Sequence, residues 1–196
     1  LLRLRDIGYA GVEVAGVPLL EGPDPELSAR DLKRMLDDAG LECLGAHTSW
    51  REIRDQTARV VDRLQELDCN MITIPTFIDE YDRFESASYT SFATESAPVT
   101  AALADQGIRL AYHHHAHEFM RFGVDRRTLL DVLVEESDLA IEIDVYWAAF
   151  AGVDPAQVIE RLSGRVPLIH CKDLEVIRDS DDVARAFYAP VGEGNL

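Results

Sequence analysis

Four of the six histidines in this chain fall within Leu110-Ala-Tyr-His-His-His-Ala-His-Glu-Phe119, at the end of an apolar segment. Alternation along a strand sends His113 and His115 to one face and His114 to the other, and leaves His117 and Glu118 to the following loop. Two imidazoles on one face begin a divalent-metal site, because neutral imidazole is a common ligand for such ions. Two later apolar segments end in residues of the same kind. In Ala140-Ile-Glu-Ile-Asp-Val-Tyr146 the apolar Ile141, Ile143 and Val145 share one face, so Glu142 and Asp144 share the other. Interior carboxylates require a cation, a proton or hydrogen bonds, and pairing with interior Lys or Arg in a polar core network is the plainer alternative. In Val166-Pro-Leu-Ile-His-Cys-Lys-Asp173, Leu168, His170 and Lys172 share a face. A single histidine after an apolar run is more often a core residue than a ligand. The placement of His170 at a strand end, parallel to Asp144 and His113, shifts it towards ligand. His47, in Gly45-Ala-His-Thr-Ser49, is a similar candidate for contact with ligand or substrate, and Glu13 a weaker one. His114 and His117 are expected to pack or to face solvent.

The elements that must position these residues are legible from punctuation and periodicity. A helix over Leu1–Ile7 closes at Gly8, Gly11–Ala15 is a short strand, and the Gly- and Pro-rich stretch Gly16–Pro25 is a loop. Ser28 caps a helix with Leu32, Met35, Leu36 and Ala39 at helical spacing and Gly40 as its stop. Leu41–His47 is the next strand, followed by one helix capped at Ser49 and running to Leu67. Met71–Pro75 is the third strand. Phe77–Ser96 has no clear period and reads as a long loop plus part of a helix that ends before Gly107. The histidine strand, Ile108–His115, follows. A helix around Leu129, Leu130 and Leu133 comes next, then a strand over Leu139–Tyr146. Asp154-Pro155 opens another helix, Val166–Lys172 is the last clear strand, and the tail to Leu196 reads as loop and partial helix.

Six strands alternating with helices, with no Asn-Gly or similar hairpin signal, are the pattern of a parallel α/β sheet. An open doubly wound sheet and a (β/α)8 barrel both satisfy it. The absence of a G-x-G-x-x-G after the first strand weakens the dinucleotide-binding version. Glu13, His47, His113, His115, Asp144 and His170 all sit at strand C-terminal ends, where barrels gather their functional residues. The barrel is therefore the expected fold.

The 196 residues, 47% apolar and 28% charged, suit one soluble globular domain spanning 1–196. A net charge of −17 argues against nucleic acid and anionic membranes as partners, and no apolar run has membrane-spanning length. Cys43, Cys69 and Cys171 are odd in number and set in largely apolar contexts, so they read as reduced core thiols of a cytoplasmic protein.

Tyr112-His-His-His-Ala-His-Glu-Phe119, Asp144-Val-Tyr-Trp-Ala-Ala-Phe-Ala-Gly-Val-Asp-Pro155, Gly164-Arg-Val-Pro-Leu-Ile-His-Cys-Lys-Asp173 and Val191-Gly-Glu-Gly194 together resemble the xylose isomerase-like TIM-barrel family, in particular its sugar phosphate isomerase/epimerase branch. Gly8-Tyr-Ala-Gly-Val-Glu-Val14 is also similar to the segment around that family's second strand. The resemblance implies an incomplete barrel holding the second to seventh strands, truncated at both ends. It implies a divalent metal at the barrel mouth, manganese before magnesium, cobalt or zinc, with Asp144, His170, His113 and His115 as ligands. His113, His47, Glu118 and Lys172 become candidates for substrate contact or proton transfer. The implied activity is isomerisation or epimerisation of a sugar or sugar phosphate through an enediolate. Its alternatives are a dehydratase acting on keto-inositols or sugars, and a sugar-binding barrel that has lost a metal ligand. A small-molecule sugar is the expected partner, and a homo-oligomer the expected state. A DNA-repair nuclease of the same fold is disfavoured by the acidic charge.

Overall fold

Parallel strands separated by helices make up the larger part of the chain, as the alternation of signals predicts. The computed structural model describes residues 1–15, 26–77 and 80–196; the loop expected over Gly16–Pro25 lies outside them. The fold divides into two units, Leu1–Ile78 with Phe92–Tyr112, and Asp79–Ser91 with His113–Leu196.

The first unit begins with helix α1 (Leu2–Asp6) and strand β1 (Gly11–Val14), followed by α2 (Ala29–Ala39) and β2 (Glu42–His47). Ser28 accepts the Asp31 amide at the start of α2, and Gly40 ends that helix in the left-handed conformation that residues with a Cβ adopt at a cost. One helix is expected between β2 and the next strand, but there are two, α3 (Trp50–Asp55) and α4 (Thr57–Glu66). Gln56 leaves helical geometry between them, and the Thr57 hydroxyl bonds the Ile53 carbonyl at 2.7 Å, a local competitor of the helical ladder. Then come β3 (Met71–Ile74), α5 (Ser86–Ala104) and β4 (Arg109–His113). In this unit β1, β2, β3 and β4 pair in that order, all parallel. Its core includes Ile53, Val60, Leu64, Ile72 and Ile74, all buried, and the edge-on rings Trp50–Phe92 (5.3 Å) and Phe77–Phe92 (5.9 Å).

α5 is longer than its sequence suggests. It starts at Ser86, inside the stretch read as loop, and runs through Pro98. Tyr89, Phe92, Ala93, Ser96 and Leu103 are buried, a set too polar and irregular to give a clear stripe. Pro98 and Thr94 are both exposed, so the carbonyl that loses its amide partner lies on the solvent side of the helix.

In the second unit the hairpin β5 (Arg121–Phe122)/β6 (Arg127–Thr128) leads into α6 (Leu129–Glu136), which Thr128 and Asp131 open with a complete capping box. β7 (Ala140–Asp144), α7 (Val145–Phe150), α8 (Pro155–Arg161) and β8 (Ile169–His170) follow, and β7 pairs parallel with β8. The expected strand Leu139–Tyr146 stops at Asp144, because Asp144 turns the chain into α7 by accepting the Trp147 amide at 3.2 Å. Val145 is therefore helical and shares no strand face with Ile141 and Ile143. Strand β8 is shorter than Val166–Lys172: Pro167 has no amide to donate, and a turn from the Lys172 amide to the His170 carbonyl closes its other end.

The tail is not loop and helix but an antiparallel hairpin, β9 (Asp173–Arg178) and β10 (Ala184–Ala189). Its turn has no Asn-Gly. The Asp179 carboxylate instead accepts the amides of Asp181 and Val183, and Asp182 takes φ 66°. Asp173 in turn accepts the amides of Gly192, Gly194 and Leu196, which fastens the Gly-Glu-Gly segment. A Cβ on Gly194 would lie 2.3 Å from both Asp173 Oδ1 and the Leu174 carbonyl oxygen, so the motif needs glycine there.

The capping box of α6 gives a direct test: Thr128→Ala should lower unfolding stability by about 1 kcal/mol, read as a shifted urea midpoint with an unchanged slope.

Candidate metal centre

Two strand ends of the second unit and the last residue of β4 meet in a polar cluster inside otherwise apolar surroundings. On β7 alternation does place Glu142 and Asp144 on one face, and both are fully buried. Glu142 Oε1 lies 2.8 Å from His113 Nδ1 and 2.7 Å from His170 Nε2. The ligand atoms of His113, Glu142 and His170 lie within 4.8 Å of one another. Asp144 Oδ2 approaches the other nitrogen of each ring, at 3.7 Å from His113 Nε2 and 3.8 Å from His170 Nδ1. The same oxygen accepts Lys172 Nζ at 2.6 Å. Burial opposes ionisation of Asp144, but hydrogen bonds from His170 and Lys172, the Lys172 charge and the Trp147 amide hold its carboxyl down at about 2.

The cluster thus contains both sequence-level readings of the β7 carboxylates. Asp144 pairs with a lysine, as in a polar core network, while Glu142 sits between two imidazoles. The sequence reading leaves a cation and a polar core network both open for Glu142 and does not include it among the ligands. Its signal was its place two residues before Asp144 on the same strand face.

His115 is not on the face of His113, because β4 ends at His113 and the chain turns. Among the described residues it is outside the His113–Glu142–His170 cluster of donor atoms. Its ring lies 5.0 Å from that of His113 and 5.3 Å from Trp147, and burial pulls it down to about 4. Glu118 is fully buried, with Oε2 on the His115 amide at 2.8 Å and Oε1 3.0 Å from His117 Nε2. It shapes the turn that carries His115. His114 packs, as expected: it is fully buried, its Nε2 accepts the Asp144 amide, and its Nδ1 is 3.1 Å from the His115 carbonyl. These two bonds require the neutral Nδ1–H tautomer, and burial lowers the ring below its usual value. His117 stacks on His115 and lies against Phe84.

His47 and Glu13 belong to the first unit. They lie at the C-terminal ends of β2 and β1, with His47 Nε2 3.4 Å from Glu13 Oε1. Of the three cysteines, Cys69 is buried and Cys43 half-buried, but Cys171 is exposed and is no core thiol. It sits after the short strand β8, where alternation turns it away from His170.

The donor set fits a divalent cation. Imidazole nitrogens and carboxylate oxygens are the ligands chosen by ions such as manganese, zinc and iron, and the donors are already gathered at strand ends. An aromatic group borders them: Trp147, Tyr146 and Tyr188 pack edge-on or tilted at 4.2–6.4 Å, and Lys172 Nζ lies 5.8 Å from the Tyr188 ring centre.

His114 and His115 are held below their unfolded value of 6.5. The unfolded chain therefore binds more protons in that window, so stability should be complete above pH 6.5 and fall as pH drops towards about 4. Urea midpoints measured across this range should show that decline, and His115→Gln should flatten it.

The chain is 27% identical over 214 residues to the rhizopine catabolism protein MocC of Rhizobium meliloti, a match covering 99% of this chain and 63% of that protein. The chain thus spans less than two thirds of that relative's length. A sugar phosphate isomerase/epimerase from Parabacteroides distasonis superposes with a TM-score of 0.74 at 22% identity, covering 91% of this chain and 70% of that one. The probable 3-DHS dehydratase AsbF of Bacillus anthracis gives a TM-score of 0.69 at 16% identity, over 99% of this chain and 78% of its own. Among the described residues no helix is long and apolar enough to cross a membrane. Over residues 1–196 the sequence matches the xylose isomerase-like TIM barrel family, and this chain belongs to it.

Proposed function

We propose that the chain carries the metal centre of an isomerase or epimerase that moves a proton next to the carbonyl of a sugar or sugar derivative. The observation behind this is the gathering of His113, Glu142 and His170, with Asp144 alongside, in a buried pocket of charge. Two buried carboxylates facing two imidazoles make a donor set that a single cation would draw together. Manganese is the proposed ion. It would supply Lewis-acid stabilisation of negative charge on substrate oxygens.

The protein's own groups divide the remaining work. Lys172, anchored to Asp144 and a third exposed, can place its ammonium against an oxygen on which charge develops. With Glu142, Asp144, His113 and His170 given to the cation, a proton taken from carbon would pass to a group outside that ligand set. Glu118 and His114 hold the histidine turn in place rather than touching substrate. His47 is proposed as a further proton-transfer group on the strength of its carboxylate neighbour Glu13. His115, neutral and beside Trp147, is proposed as a wall of the site as much as a ligand.

A dehydratase is the second reading, in which the Lys172 ammonium beside Asp144 would supply the proton to a departing hydroxyl. The two differ in product: elimination removes water, epimerisation leaves the mass unchanged.

Calorimetric titration with Mn²⁺ tests the centre. Glu142→Gln and His170→Ala should each weaken binding by about tenfold or more, and equal affinity in all three proteins would abolish it. With keto sugars in deuterated water, the metal-loaded protein should introduce deuterium at the carbon next to the carbonyl. Asp144→Asn should reduce that exchange by about 100-fold or more. Loss of water from the substrate instead would assign the dehydratase.

A further inference from the structure

Resting on the metal-centre reading above, we propose that the centre takes an uncharged, polyhydroxylated ring, seated by its C–H face on Tyr188 and Trp147, in preference to a phosphorylated sugar. Four aromatic side chains border the donors without a part in the chemistry so far. Phe150, Tyr146 and Tyr188 lie in a row: Tyr146 is stacked on Phe150 at 5.9 Å and 19°, and tilted on Tyr188 at 4.2 Å and 36°. Trp147 stands nearly perpendicular to all three, at 87°, 78° and 86°. Three of the rings come from α7 and the fourth from β10, much later in the chain. Tyr146 is the buried centre of the group, yet Tyr188 and Phe150 stay 57% and 53% exposed. Contiguous bare aromatic surface beside a polar cluster is the make-up of a small-molecule site, in which apolar walls surround a few polar groups that fix orientation.

The rings reach the donors by two routes. Trp147 lies 5.3 Å from the His115 ring, which lies 5.0 Å from that of His113. The Tyr188 ring centre lies 5.8 Å from Lys172 Nζ, which touches Asp144 Oδ2 at 2.6 Å. A molecule seated on Tyr188 therefore has the ammonium at its edge. A sugar or cyclitol ring suits that division, with hydroxyls around its rim and C–H bonds on its faces. The electron-rich face of an aromatic ring attracts those hydrogens, which leaves the rim oxygens for Lys172.

The charges point away from a phosphate ester. A phosphate dianion is ordinarily met by guanidinium forks or by unused amides at a helix start. The start of α7 is capped instead, with the Trp147 amide on Asp144 Oδ1. The Lys172 ammonium that borders the rings is already paired with the same carboxylate. Two further acids, Glu118 on the His115 amide and Glu142 beside His113, add negative charge to the surroundings. A dianion on the rings would meet that acidity, and a neutral ring does not.

Saturation-transfer NMR on the full chain, loaded with diamagnetic Mg²⁺, tests this with D-glucose, D-fructose and myo-inositol and the phosphate monoester of each. At least one neutral ring should bind, with the C–H protons of one face saturated more strongly than the rest. Its ester should bind about tenfold or more weakly, the scale of one like-charge contact. Tyr188→Ala should weaken the neutral ring about three- to tenfold and even out its saturation pattern, and Tyr188→Phe should restore both. An ester that binds as well as its neutral parent, ring affinity untouched in Tyr188→Ala, or no neutral ring bound by a protein that takes up metal would each overturn the proposal and leave the metal centre standing. A neutral ring bound with the same pattern by a protein that takes up neither Mg²⁺ nor Mn²⁺ would keep the aromatic seat and overturn the metal reading. Should Tyr188→Ala fail to fold, the comparison of neutral ring and ester in the unmodified chain decides.

Discussion

Glu142 and Asp144 are two carboxylates on consecutive inward positions of one five-residue strand, both without solvent. That is the constraint the second unit is built around. An isolated buried carboxylate is costly enough to prefer protonation or exposure. Here each is met by several groups drawn from distant parts of the chain: His113 from the end of β4, His170 from β8, and Lys172 just beyond it. The imidazoles lie between the two acids, with a different nitrogen towards each. Remove either acid and both rings lose one of their two facing charges. The neighbouring structure reinforces the arrangement. His114 fixes the end of β7 through the Asp144 amide, and Glu118 fixes the turn that follows His113. The Arg165 guanidinium binds the carbonyls of Val134, Ser137 and Leu139, which locks the approach to β7.

Much of this was legible beforehand, for identifiable reasons. The strand-helix alternation shows through Gly40 and Gly107, left-handed stops that only a turn demands, and through the caps at Ser28, Ser49, Thr128 and Asp154. Asp144 and His170 are legible as a pair because both end apolar runs on the same kind of element. The errors have their own physics. Alternation assumes that a strand continues, and β4 stops at His113, so His115 does not follow its parity. Asp144 looks like a strand residue by pattern yet serves as a helix cap, a role set by its geometry rather than its neighbours. The terminal hairpin has a turn in which the Asp179 carboxylate holds the amides of Asp181 and Val183 and Asp182 takes the left-handed backbone that Gly takes elsewhere. Pro98 reads as a break but sits on the exposed side of α5, where the missing bond is cheaply replaced by water.

The hairpin β9–β10 and the Gly-Glu-Gly segment carry a different kind of information. Four backbone amides, those of Leu174, Gly192, Gly194 and Leu196, converge on Asp173. Those bonds depress its carboxyl below the ordinary range. Asp173 immediately follows Lys172, so the ammonium that reaches Asp144 stands on a backbone position fixed by its neighbour. The conspicuous Gly-Glu-Gly string thus acts through its amides and its lack of a Cβ at Gly194, and the intervening Glu193 is exposed.

Asp144 divides its oxygens: Oδ1 receives the Trp147 amide and starts α7, while Oδ2 faces Lys172 and the two rings. One side chain is at once a helix cap and a partner of the buried charges. Asparagine could preserve the first duty and forfeit the second; glutamate, one methylene longer, would misplace both. The capping duty alone would be met by any short oxygen-bearing residue at this position. The negative charge is what an aspartate adds to such a cap, and it is spent on Lys172 and the two rings.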